Sequence, residues 1–206
     1  MAITKRFTRM PCCVPPDSGP LVAVLAAGGA KRFGGGKLDA LLAGRAVGQR
    51  TLDAVAAAGL ASGIIVVGSD APHFARQSGW QLLVNLRAEQ GLGTSLARAA
   101  SHALVQGRAL LVVLADMPLV DPGHLASLAA GTGTAATLYP NNRAGVPARF
   151  ALGMLPQLAG LSGDTGAGAL LANLAGVDLI APPANMLLDI DRPEDLASAE
   201  ALLKRG

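Results

Sequence analysis

The run Leu21 to Ala26 is apolar without a break, and it leads straight into LAAGGAKRFGGGK, Leu25 to Lys37. A strand that is apolar at every position, not at alternate ones, must be covered on both faces. Strands of that kind belong to parallel sheets with helices above and below, so this segment constrains the fold strongly. The five glycines that follow let backbone N–H groups approach anionic oxygens with no Cβ in the way. Lys31, Arg32 and Lys37 add cations at fixed offsets, which suits a loop that cradles a triphosphate. A plain structural loop is the alternative.

Spacing excludes two common glycine loops. A Walker A loop needs a glycine five residues before its Gly-Lys pair and a Ser or Thr after the lysine. Here Lys31 stands at that glycine position before Gly36-Lys37, and Leu38 follows. The dinucleotide fingerprint needs G-x-G-x-x-G directly after the strand, but Gly28 and Gly29 are adjacent and Ala30 follows.

Apolar strand runs alternate with helical patterns along most of the chain, which predicts a three-layer α/β/α fold on a mostly parallel, Rossmann-like sheet. Strands are predicted at Ile64–Gly68, Trp80–Val84, Ala109–Ala115, Ala135–Tyr139, Val177–Ala181 and Met186–Ile190. Helices are predicted at Gln49–Ala58, Ala71–Gln77, Gly93–Val105, Leu125–Ala130 and near Leu152–Leu158, then from GDTGAGALL and over Asp191–Leu203. In Gly93–Val105 the apolar residues Leu96, Ala99, Ala100, Ala103 and Leu104 recur at helical spacing. From Asn141, in NNRAGVPARF, the pattern loosens.

At 206 residues the length suits one domain, expected over 21–206 with its acceptor-side region near 141–175. Residues 1–20 carry prolines at 11, 15, 16 and 20 and no periodic pattern, so they read as a flexible tail. The tail lacks the apolar centre of a secretory signal. Its adjacent Cys12 and Cys13 make neither a disulfide framework nor a zinc site, so a cytoplasmic protein is expected. No apolar stretch approaches the roughly 18 residues that span a bilayer, so no membrane is expected as a partner. Of the net charge of +3, Lys5, Arg6 and Arg9 against Asp17 place +2 in the first nineteen residues. With aromatics at 3%, the chain shows neither the basic face nor the stacking platforms of a nucleic-acid binder.

Open α/β sheets bind ligands beyond the carboxyl ends of their strands, and four polar clusters fall at such positions. They are the glycine loop, Asp116 in ALLVVLADMP, the GVPARF segment and Asp189-Ile190-Asp191. Asp116 suits a Mg²⁺ ligand, since that ion takes one or two carboxylates with substrate phosphates; a cap for the helix after Asp121-Pro122 is the other reading. Asp191 is the second metal candidate, although Glu194 three residues later also fits an ordinary helix start. Gly93, Thr94 and Ser95 open a helix and offer N–H groups and hydroxyls to an anion or a base edge, or else Thr94 simply caps it. His73, His102 and His124 have no ligand spacing, and no G-x-S-x-G nucleophile is present.

These segments resemble, in order, those of the nucleotidyltransferases with a MobA-like domain, most nearly the MocA-type molybdenum cofactor cytidylyltransferases. LAAGGAKRFGGGK matches L-A-A-G-x-x-x-R-[FM]-G-x-x-K, LADMPLV matches [GA]-D-x-P-L-V, and GLGTSL is similar to G-M-S-x-S-L. GVPARF matches G-x-P-x-x-F, GDTGAGALL resembles G-D-x-G-A-R-x-L-L, and DIDRPEDL resembles D-I-D-T-P-E-D-L. The resemblance implies a GT-A-like fold and transfer of CMP from CTP to the phosphate of molybdopterin, with Mg²⁺ and release of pyrophosphate. It implies catalytic roles for Arg32 and Lys37, and metal ligation by Asp116 and Asp191. Leu25, Ala26, Ala27, Gly28, Gly29, Gly93, Thr94, Ser95 and Asp116 would bind nucleotide. Gly145, Pro147, Arg149, Asp164 and Gly166 would lie on the acceptor side. A molybdoenzyme or its chaperone is an implied partner. Gly168 stands where the family usually has an arginine, which removes a phosphate clamp; Arg149 is a possible substitute, unless it is only a solvated surface arginine. The alternatives are a transferase acting on a sugar or alcohol phosphate, and a non-catalytic nucleotide or cofactor carrier.

Overall fold

Strand β1, Leu21–Leu25, is buried at all five positions and alternates between two cores. Leu21, Ala23 and Leu25 face one cluster and Val22 and Val24 the other, which is why no polar residue interrupts the run. The structure, a computed structural model, describes residues 19–29 and 32–204. Apart from Gly19 and Pro20, the predicted tail lies outside them, with Cys12 and Cys13. Gly19 and Pro20 are tied down where the sheet begins: the Arg108 guanidinium donates to Gly19 O at 2.8 Å and Pro20 O at 3.1 Å.

The hairpin strands β2 (Leu41–Leu42) and β3 (Arg45–Ala46) form a small separate ribbon. The main sheet adds β4 (Ile64–Val67), β5 (Gln81–Val84), β6 (Leu110–Leu114), β7 (Ala135–Tyr139), β8 (Arg143–Phe150) and β9 (Asp178–Ile180). Its seven strands run in the order β5-β4-β1-β6-β8-β7-β9. All are parallel to their neighbours except β8, which is antiparallel to both β6 and β7. Helices α1 (Val47–Ala57), α2 (His73–Gln77), α4 (Pro122–Ala129) and α7 (Pro193–Leu203) cover one face. Helices α3 (Leu92–Gln106), α5 (Leu155–Ala159) and α6 (Ala167–Leu171) cover the other. The three-layer, mostly parallel fold predicted above is the fold observed. No described helix is long and apolar enough to cross a membrane.

Two local expectations are corrected, and one element carried no expectation. Met186–Ile190 is not a strand: Met186 and Ile190 are buried at 1% and 0%, but the segment is turn and coil packed into the core on one face of the sheet. Its apolarity reflects burial without pairing. Conversely, the loosened segment after Asn142 is the eight-residue strand β8. Gly145 and Pro147 mask its pattern, and the ladder tolerates them through a register shift between Ala136 and Thr137. The β2–β3 hairpin had no visible turn signal because its corner uses Ala43 at φ 46° before Gly44 at φ 76°. A non-glycine residue there is uncommon.

Candidate functional site

β1 hands the chain to the glycine loop at Ala26, whose N–H donates to Val66 O at 2.8 Å. After the turn at Arg32, Gly34, Gly35 and Gly36 take φ of +88°, +100° and +65°. Three consecutive left-handed residues are open only to glycine without strain. They fold the chain back so that Lys37 and Leu38 are buried, Lys37 at 9% exposure. The return is fastened where Leu38 O accepts from Gly48 N at 2.9 Å and Ala40 O from Val47 N at 3.0 Å, at the entry to α1. The Asp39 carboxylate accepts from the first N–H groups of α2, His73 at 2.8 Å and Phe74 at 2.7 Å.

Asp116 stands just beyond β6, in a turn gripped from two sides. Ala115 N donates to Leu25 O at 3.0 Å, and the buried Thr51 hydroxyl lies 3.2 Å from Ala115 O and 3.3 Å from Met117 O. Asp116 does not cap α4; the Asp121 side chain does so, accepting from His124 N at 2.7 Å. The last segment arrives through Ile190 N, which donates to Asp116 O at 2.9 Å. Asp191 is not needed as a cap for α7 either. The Asp195 carboxylate accepts from Asp191 N at 2.9 Å and Arg192 N at 2.7 Å, which leaves the Asp191 carboxylate free to turn inward.

Lys37 is where these segments meet. Its Nζ donates to Asp116 Oδ2 at 2.6 Å and to Asp191 Oδ1 at 3.0 Å, across 79 and 154 residues of chain. Burial alone would lower the Lys37 pKa, but the two carboxylates outweigh it and raise it, so the ammonium stays charged. Two neighbours respond to burial and to the same acids. Asp189 is pushed up to about 6 by burial, then by Asp116 and Asp191, with Lys37 opposing. Tyr139 is pushed up to about 12 by burial, then by Asp189 and Asp116, and its hydroxyl donates to Val146 O at 2.7 Å.

Two adjoining cavities share the glycine-loop wall. The larger, about 730 Å³, extends from Ala27–Gly29 and Lys37 to Ser69, Asp70 and Asn85. The smaller, about 280 Å³, extends from the same wall to Ser95 and Asp116. Predicted nucleotide residues Ala26, Ala27, Gly28, Gly29 and Lys37 line both, and Leu25 lines the smaller. Arg32 stands exposed on its turn, outside the described lining of both.

Gly93 and Thr94 are corrected. Gly93 N–H is already given to Gly163 O at 3.0 Å, and a Cβ there would sit 2.8 Å from Thr165 O. Thr94 is not a helix cap, because the cap position is Gly91. Its hydroxyl lies 2.8 Å from Gly91 O and 3.0 Å from Arg87 O and accepts from Asn85 Nδ2 at 2.9 Å. Only Ser95 of the three reaches a cavity wall.

Of the residues expected on an acceptor side, Asp164 and Gly166 lie against the start of α3: a Cβ on Gly91 would meet Asp164 Oδ1 at 2.4 Å, and one on Gly166 would touch Leu92 at 3.7 Å. Gly145 lies under the Tyr139 ring, and Pro147 O accepts from the Thr137 hydroxyl at 2.7 Å. Arg149 is corrected outright. It is 3% exposed, pairs in register with Leu111 and Ala135 at the opposite, amino end of the parallel strands, and donates to Leu128 O at 2.8 Å. It is neither solvated nor on the site.

Sequence reasoning missed Asn85, Tyr139 and the Ser69-Asp70 rim. Asn85 had a usable signal, a polar residue directly after an apolar strand, as at Asp116. It is 5% exposed, and its amide donates to Thr94 and to Ser95 Oγ at 3.0 Å.

Asp116 and Asp191 also suit a divalent cation. They are hard oxygen donors already gathered round one positive charge, and two protein ligands leave room for phosphate oxygens. Among the described residues, no group of three or more His, Cys, Asp and Glu could hold a metal.

The chain is 31% identical over 193 residues to purine catabolism protein PucB of Bacillus subtilis, covering 83% of this chain and 91% of that one. It is 34% identical over 161 residues to phosphoenolpyruvate guanylyltransferase of Rubrobacter xylanophilus, covering 74% and 77%. The structure of Rv0371c of Mycobacterium tuberculosis in complex with manganese superposes with a TM-score of 0.66 at 25% identity, covering 89% of this chain and 98% of that one. The MobA-like NTP transferase domain profile matches residues 22–178, and with these relatives it establishes that the chain belongs to that family of nucleotidyltransferases.

Proposed function

We propose that this protein transfers CMP from CTP to the phosphate of molybdopterin, in its molybdenum-loaded form, and releases pyrophosphate, with Mg²⁺ held by Asp116 and Asp191. The observation that carries the reading is the Lys37 ammonium within 3.0 Å of both carboxylates, on the wall that the glycine loop forms. A carrier with no chemistry would not need two acids and a buried cation beside its phosphate loop. The manganese in the Rv0371c complex supports a divalent cation.

On this reading the base and ribose occupy the larger cavity and the α-phosphate lies toward Asp116 in the smaller. Backbone N–H groups of Gly28 and Gly29, with Lys37, hold the triphosphate, and Arg32 swings in from its exposed turn to join them. Ser95 faces the nucleotide from α3, while Gly93 and Thr94 shape that helix entry without touching it. The acceptor approaches from β7 and β8, past Gly145, Pro147, Asp164 and Gly166. Its phosphate is already ionised at neutral pH, so no general base is needed. An acceptor oxygen bonds to the α-phosphorus of CTP as the bond to the bridging oxygen of the β-phosphate breaks. Positioning and charge neutralisation by Lys37 and Arg32 then lower the barrier. Bound Mg²⁺ supplies the remaining neutralisation of phosphate charge. Residues 21–206 act as one nucleotidyltransferase domain.

A second reading has support of its own. Similarity to phosphoenolpyruvate guanylyltransferase, with Gly168 where an arginine clamp is usual, favours another phosphorylated acceptor or another NTP. Pyrophosphate release measured across the four NTPs with Mg²⁺, with and without molybdopterin, separates the two. Release that requires CTP and molybdopterin together is expected. Equal release with another NTP, or with a simple phosphorylated acid or sugar in place of molybdopterin, moves the assignment. Tight nucleotide binding without turnover would sink it.

A further inference from the structure

Lys37 is tied to the acids more closely than a phosphate-binding lysine requires. Its ammonium is held at 2.6 and 3.0 Å by the two carboxylates that suit a divalent cation, and the loop carrying it is fixed by bonds from Asp39 N and Ala40 N to Gly36 O at 3.0 and 3.1 Å. Two cations cannot share those oxygens at such distances without strong repulsion. The lysine does have somewhere to go: both cavities reach it along Gly28 and Gly29, the wall suited to phosphates.

We propose that Lys37 is the resident counterion of Asp116 and Asp191 while no nucleotide is bound, holding the two carboxylates together and competing with a divalent cation for them. An NTP draws the ammonium onto its phosphates and so releases both carboxylates. Cation and nucleotide therefore bind cooperatively, each raising the affinity of the other by the same factor. This inference rests on Asp116 and Asp191 being the metal site.

The test is Mn²⁺ alone, titrated into the full chain and followed by electron paramagnetic resonance, for wild type and Lys37→Met. With no nucleotide, Lys37→Met is expected to bind Mn²⁺ about tenfold more tightly, within the usual range of such couplings. A non-hydrolysable CTP analogue should then raise the affinity of wild type more than that of the variant, by a similar factor. Equal or weaker binding by Lys37→Met overturns the competition while leaving the metal site intact. No Mn²⁺ binding in any arm overturns the metal site and the proposal with it. Should the variant fail to fold, wild type decides the matter by acetylation and mass spectrometry, with Lys204 as the internal standard. Bound Mn²⁺ is expected to raise Lys37 labelling severalfold, and unchanged labelling overturns the proposal.

Discussion

Lys37 and Arg149 are both buried cations, 9% and 3% exposed, and they lie at opposite ends of the same sheet. Lys37 is at the carboxyl end, facing two acids and two open cavities. Arg149 is at the amino end, its Nε spent on the carbonyl of Leu128, with Asp178 favouring its charge from further off. Burial has pushed the Arg149 pKa down and the acids have pulled that of Lys37 up. A buried charge is thus not by itself a sign of function. What distinguishes the two is whether the partner is itself a reactive or ligating group with space beside it.

The sharpest way to break this comparison is to remove each cation in turn. Lys37→Ala is expected to lower turnover by about 10² to 10³, the usual loss for one preorganised electrostatic contact. Its melting temperature should hardly change, because the side chains of Asp116 and Asp191 keep 21% and 54% exposure and can hydrate. Asp116→Asn should cost turnover as much, and Asp191→Asn less, since the more exposed carboxylate holds the longer contact. Arg149→Met should do the reverse. Leaving Leu128 O unsatisfied costs about 2 kcal/mol, or roughly 4–8 °C in a chain of this size, with turnover per folded molecule unchanged. Calorimetry beside steady-state kinetics reads both. A Lys37 variant that melts early yet turns over normally would reverse the assignment.

The same pair marks how far the sequence could be read. Lys37 and Asp116 were legible because each follows a pattern that fixes its surroundings, three glycines in one case and an unbroken buried strand in the other. Asp191 was less so, because an acid before a helix reads equally well as a cap; only the bonds to Asp195 show that the capping role is taken. Arg149 was misread because arginine is usually exposed, and its partner carbonyl is 21 residues away. The errors in the fold have the same origin. Met186–Ile190 has a strand's apolarity without a strand's neighbours, and β8 has the neighbours but hides its pattern behind Gly145 and Pro147. Local pattern reports burial well, and it reports long-range partners poorly.

Asn85 sharpens the comparison on a smaller scale, since it is a buried polar group that lines the larger cavity and also holds a wall of the smaller one. Its amide holds Thr94 at 2.9 Å and Ser95 at 3.0 Å, and only Ser95 faces a cavity that contains Asp116. Asn85→Ala should cost about 1–3 kcal/mol of stability, as expected when buried hydrogen-bond partners are orphaned. The KM for the NTP should also rise severalfold, with kcat less affected. A loss of stability with KM untouched would place Asn85 with Arg149 and not with Lys37.

The smallest effect is spectroscopic, and it needs no turnover. Tyr139 is the only tyrosine, so its phenol can be titrated by ultraviolet absorbance without ambiguity. Burial and the charges of Asp189 and Asp116 push its pKa up to about 12, against an ordinary value of 10. The folded state therefore binds the phenolic proton more tightly than the unfolded state does. The stability this contributes is complete below the unfolded pKa and is lost as pH rises from 10 toward 12. Asp116→Asn removes one of the charges and should move the titration back toward 10, whereas Arg149→Met should leave it in place. Equal shifts in both variants would mean that Tyr139 senses general loosening and not the field at the Lys37 end of the sheet. The two buried cations would then no longer be separable by their surroundings.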